Sequence, residues 1–556
     1  MEAKAKDACT PLLENVRDGE LEESVCVDWR GQSTGGSTEG RGGWKCSICI
    51  IGACALGGLC FNGVLYNLVL YLVQVCGKSN AAAANTVSNF AGTALLCSFI
   101  GGFLSDAYLG RLWTTVIFQA LTTLSLALTS TMVMVISKGP ATALESSLFC
   151  MTLYLMAISS GPVLPNLMAL GADQLGSAEE KQRYFKLVAV MSSTGQFAAL
   201  LVLIYLDSQS MWVWGFWLCT IASAASLAMV VIPLTRLRQF KASGNPFLRN
   251  IQVLVAACRN YSLSLPKDPS LLHESEGKRA VSGCRKVEHT TSLSFLDKAA
   301  LVVNLSDMPA ASPWRLCTVS QVEELKSVLL ALPVGIAVVL VATISTQGST
   351  LFEEQASEMN RLVTSWLVIP PASLNLISMV GSILAGILTT VSGPKLWSGR
   401  KGGRVTSLQL QGGALVSTAM AMLVAAVVES YRLSEKQKGT LLSVMWLVPQ
   451  ALLVGAASNL VTSGGADFFY SQLAPGMRSV GSSFFYIFMG AGNYLSTILV
   501  ALVTALSTRG GRSGWIADDL NDGHVDYFYW LLMLCLVLAL GIHIAYARFL
   551  SMQTRN

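Results

Sequence analysis

Charged residues are scarce in this sequence. Of its 556 residues, 13% are Asp, Glu, Lys or Arg, whereas soluble domains carry roughly 25%. The formal net charge is only +5, which does not favour a nucleic-acid partner. Together with a hydrophobic share of 52%, this composition argues against an ordinary soluble enzyme and against a disordered scaffold.

Histidine is scarcer still. The chain has four histidines, which are too few and too scattered to suggest a metal site. Most of its fourteen cysteines stand within apolar runs, where a free thiol behaves as a small hydrophobe. We therefore predict no metal and no other cofactor.

Long apolar runs dominate what is present. A membrane-spanning helix needs about 20 apolar residues, and a chain in lipid must satisfy its backbone within helices. Six such runs precede a polar interval and six follow it. They fall near residues 46–75, 82–104, 114–136, 147–170, 187–206, 212–234, 327–350, 371–391, 408–429, 440–462, 479–507 and 527–549.

This arrangement divides the chain into five parts. We predict a polar tail at 1–43, a six-helix bundle at 44–234, a water-exposed loop at 235–326, a second six-helix bundle at 327–549 and a short tail at 550–556. Within the loop, the apolar residues after Pro246 recur at helical spacing, which predicts an amphipathic helix. Six spans plus six spans is typical of an all-α major facilitator fold that alternates access to a central site.

Basic residues indicate the orientation of the chain. The connections 171–186 and 392–404 contain several Lys and Arg and lie on the same side as the central loop. The positive-inside rule then predicts that both termini and the loop are cytoplasmic.

A charged turn follows the second predicted span. Gly102-Phe-Leu-Ser-Asp106-Ala-Tyr-Leu-Gly110-Arg111 has the GxxxDxxxGR form of the loop between spans 2 and 3 of major facilitators. Glycine permits the tight turn, and Asp106 is able to pair with Arg111 or to cap a helix N-terminus. We predict Asp106, Gly110 and Arg111 as gating residues.

Several further segments carry a closer resemblance. They are Gly171-Ala-Asp-Gln174, the stretch 245–257, Phe295-Leu-Asp-Lys-Ala-Ala300, Pro313–Glu324, Phe468–Ser479 and Gly523–Trp530. With these motifs the chain resembles the plant nitrate/peptide transporter family, a branch of the proton-dependent oligopeptide transporters, from about residue 42 to about 548. The resemblance implies a carrier in a lipid bilayer that moves a small-molecule solute.

The chain departs from that family at the positions that usually carry charge. The resemblance implies an ExxER motif in span 1, where this chain has Cys54, Gly57 and Gly58. It also implies a lysine before the proline of span 4 and a glutamate in span 10, where Leu164 and Ser458 stand. Proton coupling needs a group that titrates during the cycle. Altered or absent coupling is therefore expected, as in a facilitator or an exporter.

Neutral polar residues within the spans are the candidates for solute binding. A buried amide in a membrane needs a partner, and several of these residues will only join helices. The substrate-binding candidates are Asn62, Tyr66, Asn67, Asn166, Glu354, Asn375, Ser458 and Asn459.

Two alternatives remain open. A non-transporting solute sensor on a transporter scaffold fits a cavity without a titratable relay. A conventional proton-coupled nitrate or peptide symporter would instead use Glu353 or Glu354. An enzyme is not favoured, because residues of the spans do not provide a catalytic nucleophile together with a general base. The plasma membrane, the tonoplast and other endomembranes are all compatible with the sequence.

Overall fold

A computed structural model of the chain consists mostly of helices. Its described residues are 26–27, 42–77, 80–139, 142–208, 211–240, 246–266, 272–274, 289–302, 312–348, 351–364, 367–369, 371–391, 406–473, 477–508, 514–517 and 520–553. The bases predicted to orient the 392–404 connection lie outside these residues.

Six spans come from the first half of the chain. They are Trp44–Gln74 (span 1), Asn80–Leu104 (span 2), Arg111–Ile136 (span 3), Ala143–Ser160 continued by Val163–Asp173 (span 4), Ala178–Ser208 (span 5) and Trp212–Val231 (span 6). The break in span 4 falls at Gly161-Pro162. A side chain at Gly161 would meet the carbonyl oxygen of Ala94 in span 2 at 2.0 Å, so only glycine permits this approach of the two helices.

The second half supplies six more spans. Eleven helices among the described residues are long and apolar enough to cross a membrane, and span 8 is a shorter apolar helix. The prediction of a twelve-helix membrane protein is therefore confirmed. The spans are Val319–Gly348 (span 7), Leu374–Val391 (span 8), Ser407–Gln437 (span 9), Val448–Gln472 (span 10), Arg478–Ser507 (span 11) and Val525–Gln553 (span 12), with a short helix Leu351–Ser357 after span 7.

The spans pack as two bundles. In the first, span 1 lies against spans 5 and 6, and span 3 against spans 4 and 6. In the second, span 10 contacts spans 8 and 9, span 9 contacts span 12, and span 7 contacts span 11. The bundles meet where span 2 packs on span 11 and where span 5 packs on spans 8 and 10. These spans therefore form the contact between the two bundles.

The polar loop between the bundles contains a small core of its own. The helix Pro246–Arg259 packs its buried Val253 and Ala256 on the turn Ser294–Ala300 and on the first turns of span 7. Burial raises the pKa of the Cys317 thiol in this core to about 12, as expected for a thiol among apolar groups. We call the membrane end that carries this loop the linker end, and the opposite one the far end.

Short strands add two ribbons outside the bundles. Cys26–Val27 pairs antiparallel with Gln239–Phe240, and Leu362–Thr364 pairs with Leu367–Val368. The first ribbon ties part of the polar N-terminal segment to the chain that leaves span 6. This pairing places a short strand at residues 26–27, within the predicted polar tail 1–43.

Candidate transport pathway

Asp106 connects the two bundles at the linker end. It lies in a π-helical turn, Ser105–Leu109, that ends at Gly110 with φ of 76°, a conformation that favours glycine. The buried Asp106 carboxylate accepts a hydrogen bond from the backbone N–H of Val480 at 2.9 Å. Val480 lies in the first turn of span 11, so the carboxylate meets the positive end of that helix.

Arg111 adds a second set of contacts. Its guanidinium lies 3.5 Å from the Asp106 carboxylate, so the predicted pair is present. The same guanidinium donates a hydrogen bond to Ser479 Oγ at 2.7 Å and forms an ion pair with Asp173. Arg111 therefore links spans 2, 3 and 4 to span 11.

Sequence reasoning missed three further residues of this network. The Asp173 carboxylate accepts a hydrogen bond from the Tyr470 hydroxyl of span 10. The Arg478 guanidinium lies 4.9 Å from the centroid of the Tyr470 ring and 3.9 Å from Asp173. Asp173 and Tyr470 stood within quoted motif segments, which was the available signal. We call Asp106, Arg111, Asp173, Tyr470 and Arg478 the linker-end latch.

Above the latch, neutral side chains occupy the region where the family resemblance places charge. Cys54 is fully buried in the same core cluster as Tyr184, and Tyr486 packs against that cluster. The Tyr486 hydroxyl of span 11 contacts Met168 Sδ of span 4 at 2.9 Å. A side chain at Gly57 would meet open space within 4 Å. This layer therefore joins the bundles without an ion pair among these residues.

Two predicted amides lie deeper on the surfaces where the bundles meet. Asn166 and Asn459 are 0% and 2% exposed. Asn166 donates to the Pro162 carbonyl at 2.8 Å, and its own oxygen has no partner among the described residues. The nitrogen and the oxygen of the Asn459 amide both lack a hydrogen-bond partner among the described residues. Unpartnered buried amide atoms are uncommon and call for an explanation.

The other predicted residues of the first bundle are less informative. The half-buried Asn62 donates to the carbonyl of Gly58, one turn earlier in its own helix, at 3.0 Å. Tyr66 and Asn67 belong to the helix of span 1, but their side chains lie outside the described part of the structure. In span 10, Ser458 is half-buried.

Asn375 and Glu353 meet at the far end. The Asn375 amide donates to the Glu353 carboxylate at 2.6 Å, and Glu354 is exposed on the short helix after span 7. Asn375 precedes Gly386 of span 8 by eleven residues, about 16 Å along a helix. Gly386 packs on Asn459. The predicted residues therefore form two separate groups, one with Asn375 at the far end and one with Asn459 in the middle, rather than one site.

The helices also enclose charges at or beyond the ends of the predicted runs. Span 5 begins at Ala178, so its helix contains Lys186, which lies just before the predicted run 187–206. Span 9 extends to Gln437 and buries the Glu429–Arg432 ion pair, with an N–O distance of 2.8 Å. Lys186 and Arg432 lie outside the predicted runs because hydropathy alone ended those runs too early.

One cluster in the loop has the donor set of a metal site. Ligand atoms of His289, Asp297 and Glu323 lie within 4.8 Å of one another. The buried Lys326 ammonium, however, lies 2.7 Å from Asp297 and 2.8 Å from Glu323. The lysine already supplies the positive charge that a metal would bring, so we assign this cluster as a salt-bridge network.

Comparisons with known proteins agree with this geometry. The family model described as PTR2, POT family, matches residues 112–516. The chain belongs to the POT family. Protein NRT1/ PTR FAMILY 7.3 of Arabidopsis thaliana is 35% identical over 573 residues, covering 96% of this chain and 91% of that protein. Protein NRT1/ PTR FAMILY 8.5 of the same plant is 33% identical, covering 88% and 87%.

Solved structures show the same fold. The POT family transporter PepTSo superposes with a TM-score of 0.61 at 17% identity, covering 92% of this chain and 99% of that one. An auto-inhibited POT family peptide transporter gives a TM-score of 0.60 at 17% identity, covering 91% and 97%. Fold and family together make this POT protein a multi-pass membrane protein of the secondary-transporter class.

Proposed function

We propose that this POT protein moves a small polar solute by alternating access between its two bundles, without the proton coupling usual in its family. The observation that carries the proposal is the neutral layer above the latch. Cys54, Gly57 and Gly58 stand where the family resemblance puts two glutamates and an arginine, and Leu164 and Ser458 stand where it puts a lysine and a glutamate. A carrier without a titrating group in its central layer has no local means of coupling solute to protons.

Joint replacement of these charges supports the same mechanism. A lone arginine or lysine left in a buried layer would lack its counter-charge, and an uncompensated buried charge is strongly destabilising. The chain instead places a thiol, two glycines and two tyrosine hydroxyls there. Replacing all of these charges together avoids an unpaired buried charge. Solute binding then depends on neutral hydrogen-bonding groups.

The latch is the element that alternates in this proposal. Its contacts close the linker end, which we expect to face the cytoplasm of a plasma, vacuolar or other internal membrane. Release of Val480 from Asp106 and of Tyr470 from Asp173 would let the two bundles separate there. Each of these contacts joins one bundle to the other, so rigid-body rocking breaks them together.

Solute counterflow in proteoliposomes tests the proposal. Purified protein is reconstituted with a panel of neutral, anionic and zwitterionic organic solutes, and exchange is followed with and without an imposed pH gradient. We expect counterflow whose rate does not depend on the gradient. Acceleration by an inward proton gradient would contradict the uncoupled mechanism, and saturable binding without flux would favour the sensor.

Restoring charge provides the complementary test. Gly57→Glu is the mildest change, because the position opens on free space, and the triple change of Cys54, Gly57 and Gly58 to Glu, Glu and Arg is the full one. If these positions correspond to the coupling charges, the variants should acquire pH-dependent exchange or lose turnover. Gly139→Glu, also in open space but outside the spans, is the matched control.

A proton-coupled mechanism is the second candidate, and one pair favours it. Lys186 of span 5 and Asp467 of span 10 attract each other across the bundles, and Asp467 accepts a hydrogen bond from Ser407 at 2.5 Å. Asp467→Asn distinguishes the mechanisms. In a coupled carrier this variant would lose acceleration by a proton gradient, whereas the uncoupled mechanism has no such acceleration to lose. The exposed Glu354 and the amide-bound Glu353 are tested in the same way with Gln.

A further inference from the structure

We infer that Asn166 and Asn459 form a two-sided recognition site for an uncharged carboxamide-type group of the solute. The inference rests on the transport pathway proposed above and names the chemistry it recognises. Both amides are buried, and three of their four polar atoms have no partner among the described residues. They belong to different bundles, so a solute bound by both would bridge the parts that move.

Helix periodicity places the two amides on the surfaces that meet. Asn166 precedes the latch residue Asp173 by seven residues in one unbroken helix, which is close to two turns. Asn459 precedes Tyr470 by eleven residues in span 10, which is close to three turns. Asp173 and Tyr470 bond each other, so each amide lies on the helix face that points toward the other bundle.

The same arithmetic gives the depth of each amide. At 1.5 Å per residue, Asn166 lies about 10 Å above the Asp173–Tyr470 contact and Asn459 about 16 Å above it. The difference in depth is therefore about 6 Å. Asn459 also lies where three spans converge, because a side chain at Gly386 of span 8 would meet its amide nitrogen at 2.9 Å and Val190 of span 5 at 2.2 Å.

The unpartnered atoms define what the ligand must offer. One N–H of the Asn166 amide donates to the Pro162 carbonyl, so the unpartnered atom that Asn166 presents is its acceptor oxygen. Asn459 presents an acceptor and a donor. A primary carboxamide has two N–H donors and one carbonyl acceptor and can serve both residues at once.

A carboxylate does not meet this requirement. It has no N–H or O–H to donate when ionised, so it would leave both asparagine oxygens unsatisfied. The neighbouring layer of Cys54, Tyr184 and Tyr486 supplies no cation to balance its charge. A site that must hydrogen-bond its ligand discriminates strongly against an analogue without the matching group.

Matched neutral and charged probes test this site. Binding to the purified full-length protein is measured for benzamide against benzoate and nicotinamide against nicotinate, and counterflow is then measured for any probe that binds. We expect saturable binding of the amides, with each acid at least tenfold weaker. Asn459→Leu and Asn166→Leu should each weaken amide binding by roughly tenfold, as expected for a lost buried hydrogen bond.

A buried amide elsewhere provides the control. Gln411 of span 9 is 1% exposed, and both polar atoms of its amide lack partners among the described residues. Span 9 packs within the second bundle, so Gln411→Leu should leave amide binding unchanged. This variant separates loss of a ligand contact from relief of an unsatisfied buried group.

The outcomes separate the site from the transport mechanism. No saturable amide binding, acids that bind as tightly as amides, or equal losses in Asn459→Leu and Gln411→Leu would each overturn the carboxamide site. Amide binding with the expected variant pattern but without counterflow would uphold the site and contradict the proposed transport. Counterflow of charged solutes alone would uphold transport and overturn the site.

Discussion

Asp106, in the turn after span 2, caps span 11 of the opposite bundle by accepting a hydrogen bond from the Val480 N–H at 2.9 Å. This one contact joins a carboxylate to the positive end of a helix 374 residues away in the chain. It assigns a physical role to the acidic residue of the loop motif. In the proposed mechanism this contact breaks when the linker end opens, so it stabilises the closed state.

Removing the Asp106 carboxylate should loosen the start of span 11. Asp106→Ala loses a charge-assisted hydrogen bond worth about 1.5–3 kcal/mol, so amide exchange at Val480 and its neighbours should accelerate by roughly tenfold or more. Hydrogen-exchange mass spectrometry of the reconstituted protein measures this rate. Asp526→Ala, in the first turn of span 12, controls for a general loss of stability. Unchanged exchange at the start of span 11 would mean that Asp106 is not a latch residue.

Tyr470 and Asp173 should be energetically coupled. Tyr470→Phe removes the hydroxyl that donates a hydrogen bond to Asp173. It keeps the aromatic ring, whose centroid lies 5.4 Å from that of Phe185. A double-mutant cycle with Asp173→Asn should give a coupling energy of about 0.5–3 kcal/mol. Chemical or thermal unfolding in detergent measures it. Strictly additive effects would show that the hydroxyl does not stabilise the latch.

Lys326 should hold the loop on span 7 by charge. Lys326→Met leaves Asp297 and Glu323 buried and uncompensated, which costs about 3–5 kcal/mol. We expect faster cleavage of the loop in limited proteolysis and a lower unfolding temperature. Because His289 and both carboxylates have ligand atoms within 4.8 Å, Zn²⁺ should restore protease resistance in this variant. The wild-type chain, with Lys326 in place, should not respond to Zn²⁺.

A second substitution controls the metal effect. Lys326→Met combined with His289→Ala keeps the unbalanced carboxylates but removes the nitrogen ligand. Zn²⁺ should protect this double variant less than the single one. Equal protection of both would mean that the ion acts elsewhere on the protein.

The twelve spans were predictable because apolar runs of membrane length are a local property of the sequence. The break of span 4 at Gly161-Pro162 and the charged ends of spans 5 and 9 were not, because they depend on which helices pack around them. Lys186 and Glu429 appear as the ends of apolar runs in the sequence. In the fold both residues lie within helices that pack against neighbouring spans.

The linker-end latch was predictable in part. The loop motif identified Asp106, Gly110 and Arg111, because turn, charge and spacing are local. Val480, which donates to Asp106, and Tyr470 and Arg478, which contact Asp173, come from the other bundle. They lie more than 350 residues from Arg111 in the sequence, and no pattern links them to it. Asn375 and Glu354 were grouped with Asn459 because residue type alone does not show how deep in the bundle a residue lies. Only the helix geometry separates the far end from the middle.

Measurement of proton movement during solute exchange tests the central proposal most directly. Proteoliposomes containing a pH-sensitive dye are loaded with a solute that shows counterflow, and the internal pH is recorded while a solute gradient drives net flux. The uncoupled mechanism predicts solute flux without a change in internal pH, and Gly57→Glu is the variant in which a change is expected. Internal pH that moves in proportion to solute flux in the wild-type protein would contradict the mechanism.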